Sequence, residues 1–128
     1  MAWQFTAQQP IYQQIVDELE LRIFNGTYPL GERMPSVRDL AMVASVNPNT
    51  MQRALSELES RGLISTQRTS GRMVTTDQEA ISKAKSSKAE QLCATFMEQM
   101  RALGMNREET RNILDRLNSE EENDGSNT

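Results

Sequence analysis

Apolar residues recur at helical spacing along several stretches of the chain, with polar breaks between them. After Pro10, the residues Ile11, Ile15, Leu19 and Ile23 stand at every fourth position, and Tyr12 and Val16 widen the stripe. This predicts a first helix closed by a left-handed cap at Asn25-Gly26. Thr27 to Met34 holds a Pro-Leu-Gly turn and room for one very short strand. A second helix opens at Ser36, an N-cap with Asp39 as its reciprocal partner, and buries Val37, Leu40, Ala41 and Ala44. The pattern breaks at Ser45-Val46 and restarts at once. Asn47 is a good N-cap, and Pro48 fits the first helical position, where its missing N–H is no loss. In this third helix Met51, Ala54, Leu55 and Leu58 share an arc of roughly a third of the circumference, and Arg61-Gly62 ends it.

Two short helices with almost no connector make a helix-turn-helix outline. A hairpin follows: Leu63 to Gln67, then the loop Arg68-Thr69-Ser70-Gly71-Arg72, then Met73-Val74-Thr75. The β-branched residues on both sides and the glycine at the turn carry that reading. Opposite the buried arc of the third helix lie Asn49, Gln52, Arg53 and Ser56, with no carboxylate among them. These are groups that pair with base edges in a major groove, Asn or Gln with adenine and Arg with guanine. Arg38 sits in the first turn of its helix, where the dipole disfavours a cation and a bound phosphate reverses the penalty. Arginines and hydroxyls at the hairpin tip suit a wing along a phosphate backbone or in a minor groove. Each feature taken alone is also an ordinary solvated surface. Their combination is a winged helix-turn-helix.

The same residues resemble a known family. The run PIYQQI from Pro10, the run GTYPLGERMPSVRDLA from Gly26, VNPNTMQRALSELESRGLI and the wing QRTSGRMV are similar to the DNA-binding domain of GntR-type transcription regulators. The likeness spans about residues 8 to 76 with its motifs in order. The NPNT variant and the short helical tail resemble the YtrA subfamily, which implies a short helical dimerisation region after the wing. The resemblance also suggests a regulator of a transport operon, often one that includes its own gene. In many members a base-reading arginine stands where this chain has Pro48. Here readout shifts to Asn47, Asn49, Gln52 and Arg53.

Net charge is −4, which suits a nucleic-acid binder only once the chain is divided. From Glu32 to Thr76 six arginines face four acids, whereas residues 1 to 31 hold one basic residue against three acids and from Asp77 onward seven basic residues face eleven acidic ones. Positive charge therefore gathers on the helix-turn-helix and wing, and local field decides phosphate binding. The 128 residues suffice for one ordinary domain and an appendage, with no apolar run of membrane-spanning length. No signal-peptide pattern opens the chain and its single cysteine, Cys93, has no internal partner, so the expected place is the cytoplasm. Cys93 lies in a helical pattern and reads as a small buried hydrophobe rather than a sensor thiol. With no histidine, no metal-spaced cysteines and no phosphate-cradling loop, an enzyme, a metal site and a cofactor are not expected.

Residues 77 to 91 form a polar exit from the wing into a helix whose start the pattern leaves open. Leu92, Phe96, Met97, Met100 and Leu103 then recur at spacings of three and four until Gly104. Asn106 opens another helix, with Glu109 at the capping-box position and Ile113, Leu114 and Leu117 beyond. So short a pair of helices either folds back on the first domain or pairs with the same helices of a second chain. Pairing is the favoured reading, since a two-fold dimer presents recognition helices to two half-sites. Trp3 and Phe5 fit either this chain's core or a partner's surface.

The sequence thus predicts a mainly α protein with a small β-hairpin: a winged helix-turn-helix over 1–76, a helical dimerisation region over 77–119 and a disordered acidic tail over 120–128. It is expected to be a homodimeric regulator, a repressor covering an inverted repeat in double-stranded DNA near a promoter. Asn47, Asn49, Gln52 and Arg53 are to read bases, Ser36, Arg38 and Thr50 to hold phosphates, and Arg68, Ser70, Gly71 and Arg72 to form the wing contact. Leu92, Phe96, Met100, Leu103, Ile113, Leu114 and Leu117 are to form the dimer contact. An unknown small-molecule effector has room at that contact, against Phe96, Met97 and Met100. The rival reading is a winged-helix adaptor for protein partners; it calls for exposed apolar residues on the arc of Asn49, Gln52 and Arg53, and there are none.

Overall fold

The computed structural model describes residues 3–69 and 71–126, with 123–126 described by backbone alone. The chain divides into two compact units, Met1–Lys85 and Ser86–Thr128. In the first, the apolar stripes meet as their spacing requires. Helix α1 (Ile11–Phe24) buries Ile15, Val16, Leu19 and Ile23, α2 (Val37–Ala44) buries Leu40, Ala41 and Ala44, and α3 (Pro48–Ser60) buries Met51, Ala54, Leu55 and Leu58. α3 lies between the other two, against α1 on one side and α2 on the other. Each large side chain so enclosed contributes about 1.5–3 kcal/mol relative to exposure. Ile11 departs from its stripe and stays 47% exposed. Helical side chains lean toward the N-terminus, and the first residue of α1 has no preceding turn to lean on.

The N-terminal arm packs within its own chain. Trp3 and Phe5 lie against the core, edge to face at 6.4 Å, and the Arg22 guanidinium covers the Trp3 ring at 4.7 Å. Gln14 ties the arm down: its Oε1 accepts from the Thr6 N–H and its Nε2 donates to the carbonyls of Thr6 and Gln9.

Strands β1 (Ile64–Gln67) and β2 (Gly71–Val74) pair antiparallel, Ile64 opposite Val74 and Gln67 opposite Gly71. The short strand expected before α2 reduces to a single bridge between Arg33 and Met73. Two hydrogen bonds flank it, from Met34 N–H to the Arg72 carbonyl at 2.8 Å and from Val74 N–H to the Glu32 carbonyl at 2.9 Å. Leu63, Ile64 and Val74 turn inward and close the core beneath the hairpin.

Helix α4 (Gln78–Ala102) begins directly after the wing. Asp77 sets its start, with Oδ1 accepting from the N–H groups of Glu79 and Ala80 at 3.1 Å. Its opening turns place Ile81 and Ala84 on the core, which is why the first unit runs to Lys85, beyond the 76/77 boundary expected from the end of the wing.

The second unit is the remainder of α4, a turn, and α5 (Arg107–Ser126). Gly104, at φ +82°, makes the reversal that a residue with a Cβ would resist. The capping box expected at Asn106 is complete: its Oδ1 accepts from Glu109 N–H at 2.8 Å, and Glu109 Oε1 accepts from Asn106 N–H at 3.1 Å. Two features differ from the sequence reading. Cys93 is exposed, not buried, because α4 buries no side chain fully and presents this position to solvent. α5 continues to Ser126, through much of the stretch read as a disordered tail, with residues 127–128 outside the described residues. The glutamates at 120–122 are good helix formers, and composition alone did not weigh that.

Candidate nucleic-acid interface

The candidate surface is built outward from the turn between α2 and α3. Ser45 takes the left-handed conformation there, at φ 57°, so that the chain reverses within two residues. Val46, just before the cap, packs on the core that holds Met51 and fixes the angle at which α3 leaves the turn, as a hydrophobic staple does. Ser36 caps α2 through Oγ, which accepts from Asp39 N–H at 3.1 Å. Among the described residues the Asp39 carboxylate does not return the expected bond to the Ser36 N–H, so only half of that capping box forms. Asn47 caps α3 through Oδ1, which accepts from Asn49 N–H at 2.7 Å. The cap restricts what Asn47 can do: its oxygen is committed, and only its N–H donors can reach outward. The Ser36 hydroxyl keeps its proton free to donate.

Asn49, Gln52, Arg53 and Ser56 are all exposed on α3, opposite its buried residues, and Thr50 is half-buried beside them. The carboxylates of α3 are engaged elsewhere. Glu57 is bound to Arg61 at 3.1 Å, and Glu59 Oε1 accepts from Thr66 N–H at 2.7 Å. Arg61 is bound in turn to the buried Glu20 carboxylate at 3.3 Å. Partial burial works against its charge, but Glu20 and Glu57 outweigh that and hold its pKa above the ordinary arginine value. The outward face of α3 thus keeps donors and amides while its acids serve the fold.

Arg38 is exposed in the first turn of α2, with no ion pair or hydrogen bond among the described residues. Arg68 is exposed on the hairpin loop and Gly71 sits at φ +78°, where the chain turns into β2. Arg72 stands farther back, in β2 opposite Thr66, half-buried with its Nε enclosed and unpartnered. Ser70, also assigned to the wing, lies outside the described residues.

Two residues of this surface escaped the sequence reading. Arg33 lies against the wing, its Nε 3.5 Å from where a Cβ on Gly71 would stand, and adds a third arginine to those of the hairpin. Tyr12 was assigned to the stripe of α1, yet the Arg53 guanidinium lies over its ring, 3.7 Å from the centroid. No spacing relates residues 12 and 53. Only the signal of an aromatic at the rim of an apolar stripe was available.

On the second unit, Leu92 is 62% exposed, Leu103 75% and Leu117 51%, and Leu114 is exposed as well. Phe96, Met100 and Ile113 are half-buried. The described residues contain no helix long and apolar enough to cross a membrane, and no cluster of acids or cysteine able to hold a metal ion.

Comparison with known proteins agrees with this geometry. The model of bacterial regulatory proteins of the gntR family matches residues 11–74, from the start of α1 to the end of β2. The chain belongs to the GntR family. It is 36% identical over 106 residues to YhcF of Bacillus subtilis, an uncharacterized HTH-type transcriptional regulator, covering 83% of this chain and 88% of that protein. It is 42% identical over 62 residues to the HTH-type transcriptional repressor YtrA of the same organism, 48% of each chain. A GntR family transcriptional regulator from Listeria monocytogenes superposes with a TM-score of 0.82 at 38% identity, over 88% of this chain and 98% of that one. The protein is therefore a YtrA-like transcriptional regulator of the GntR family with a winged-helix DNA-binding domain, a family of regulators and not of enzymes.

Proposed function

We propose that this GntR-family regulator is a cytoplasmic homodimeric repressor that covers an inverted-repeat operator near a promoter and excludes polymerase. One observation carries the reading: the outward face of α3 presents Asn49, Gln52, Arg53 and Ser56, while its carboxylates are bound to Arg61 and a backbone N–H. Asn49, Gln52 and Arg53 read bases in the major groove, joined by the N–H donors of Asn47. Ser36, Arg38 and Thr50 hold phosphates, and Arg68, Ser70, Gly71 and Arg72 make the wing contact, with Arg33 beside them. The dimer forms through α4, α5 and the turn between them, where Leu92, Leu103, Leu114 and Leu117 stay exposed on a single chain and Phe96, Met100 and Ile113 are half-buried. So much uncovered leucine on two consecutive helices and the turn between them marks a surface made for a partner. Repression also accords with the name of its relative YtrA. An effector, if the regulator uses one, binds at that helical contact near Phe96, Met97 and Met100.

The test is selection of binding sites from random duplexes, with wild type beside Arg53→Ala. Wild type should enrich an inverted repeat. Arg53→Ala should lose about 1–3 kcal/mol of discrimination at one base pair in each half-site. If both proteins enrich the same sequence equally, Arg53 does not read bases. No enrichment by wild type would favour the adaptor reading.

A further inference from the structure

We infer that Tyr12 is a positioning residue for sequence readout: its ring holds the Arg53 guanidinium, so specificity at one base pair is set from α1, outside the helix-turn-helix. This rests on the base-reading role of Arg53 proposed above. The Arg53 guanidinium carbon lies 3.7 Å from the Tyr12 ring centroid. A guanidinium over a ring uses its face, while its N–H donors lie in its plane and stay available for a guanine edge. No hydrogen bond or ion pair engages those donors among the described residues, although Arg53 is exposed.

The ring is a firm support. Tyr12 is half-buried in the first turn of α1, and Ile15 and Val16 anchor that turn in the core. Pro10, Ile11 and Tyr12 line a shallow hollow together with Asn49, Thr50 and Arg53, so the start of α1 and the reading face form one surface. An unsupported arginine on a helix spreads over many rotamers and must give them up on binding. Stacked on Tyr12, it loses much of that freedom in the free protein, and its fork meets the groove in a restricted orientation. The ring, not the hydroxyl, does this; among the described residues the hydroxyl accepts only a long bond from Gln13 Nε2 at 3.4 Å.

The experiment measures binding to the selected operator, to operators altered at single base pairs and to random duplex. It uses wild type, Tyr12→Phe, Tyr12→Leu, Arg53→Ala and the Tyr12→Leu/Arg53→Ala double variant, each checked by thermal melting. Tyr12→Leu should cut discrimination at the base pair read by Arg53 by about 2- to 5-fold, the factor a single exposed stack represents. Discrimination at other positions and affinity for random duplex should stay as they were. Tyr12→Phe should behave as wild type, and the double variant as Arg53→Ala alone. If Tyr12→Leu melts early, Tyr12→Gln carries the same expectation.

Equal weakening of all duplexes by Tyr12→Leu would overturn the inference, as would additive losses in the double variant. A Tyr12→Phe variant as impaired as Tyr12→Leu would do the same, by placing the effect in the hydroxyl. Should Arg53→Ala relax one base pair while Tyr12→Leu relaxes none, this inference fails and the reading of Arg53 stands. Should Arg53→Ala relax none, both fall.

Discussion

At the scale of single residues, the proposed reading gives the one amide of Asn47 two ends to serve. Its oxygen caps α3, and its amide N–H donors make no hydrogen bond among the described residues. The two roles separate by substitution. Asn47→Ala should lower stability by about 0.5–2 kcal/mol, seen as a lower melting temperature. Asn47→Ser should keep the cap and most of that stability yet lose the N–H donors. Weaker operator binding by a fully stable Asn47→Ser protein would assign Asn47 to the DNA; unchanged binding would leave it a cap alone. The cap was legible in the sequence, because a cap reaches only two or three residues along the chain. The stack of Arg53 on Tyr12 was not, because it joins two helices whose relative placement depends on the whole core.

At the scale of elements, α4 and α5 are where a lone chain is least complete. Leu103 is 75% exposed and Leu117 51%, a cost in water that a second copy of the same helices would relieve. Under the proposed dimer, wild type should sediment as two chains and Leu103→Glu combined with Leu117→Glu as one. Operator affinity should then fall by about 100-fold or more, because the second half-site is no longer tethered to the first. The isolated fold of residues 1–85 should survive, since neither leucine belongs to its core. A variant that still sediments as a dimer would move the contact elsewhere. The register of α5 was readable from its capping box. The start of α4 was settled by Asp77, whose carboxylate bonds to two backbone N–H groups in a stretch without apolar periodicity.

At the scale of the whole molecule, a chain of net charge −4 is offered as a DNA binder. Six of the eleven arginines lie between Glu32 and Thr76 against four acids, and the excess of acid lies on either side of that stretch. Binding should weaken steeply as salt is raised, in proportion to the phosphates neutralised. Arg38→Ala should weaken binding to operator and random duplex alike and reduce the salt slope by about 1. A slope unchanged from wild type would remove Arg38 from the phosphate contacts. Arg38 and Arg53 thus make opposite predictions on the same two duplexes, which tells a backbone contact from a base contact.

The sequence by itself determined the helices of the first unit, their caps, the hairpin, the family and the outward arc of α3. Periodicity, capping and turn chemistry act over a few neighbouring residues, so they can be read in one dimension. Tertiary structure alone decided what depends on how elements meet. Arg53 rests on Tyr12, Arg33 joins the wing at Gly71, and the acids of α3 are drawn off to Arg61 and Thr66. Trp3 and Phe5 pack on their own chain, and Cys93, which a helical pattern placed inside, faces solvent. The physical reason is the same in each case. A side chain's partner across the fold is fixed by the distance and angle between packed elements, and those are set jointly by all the residues of the core.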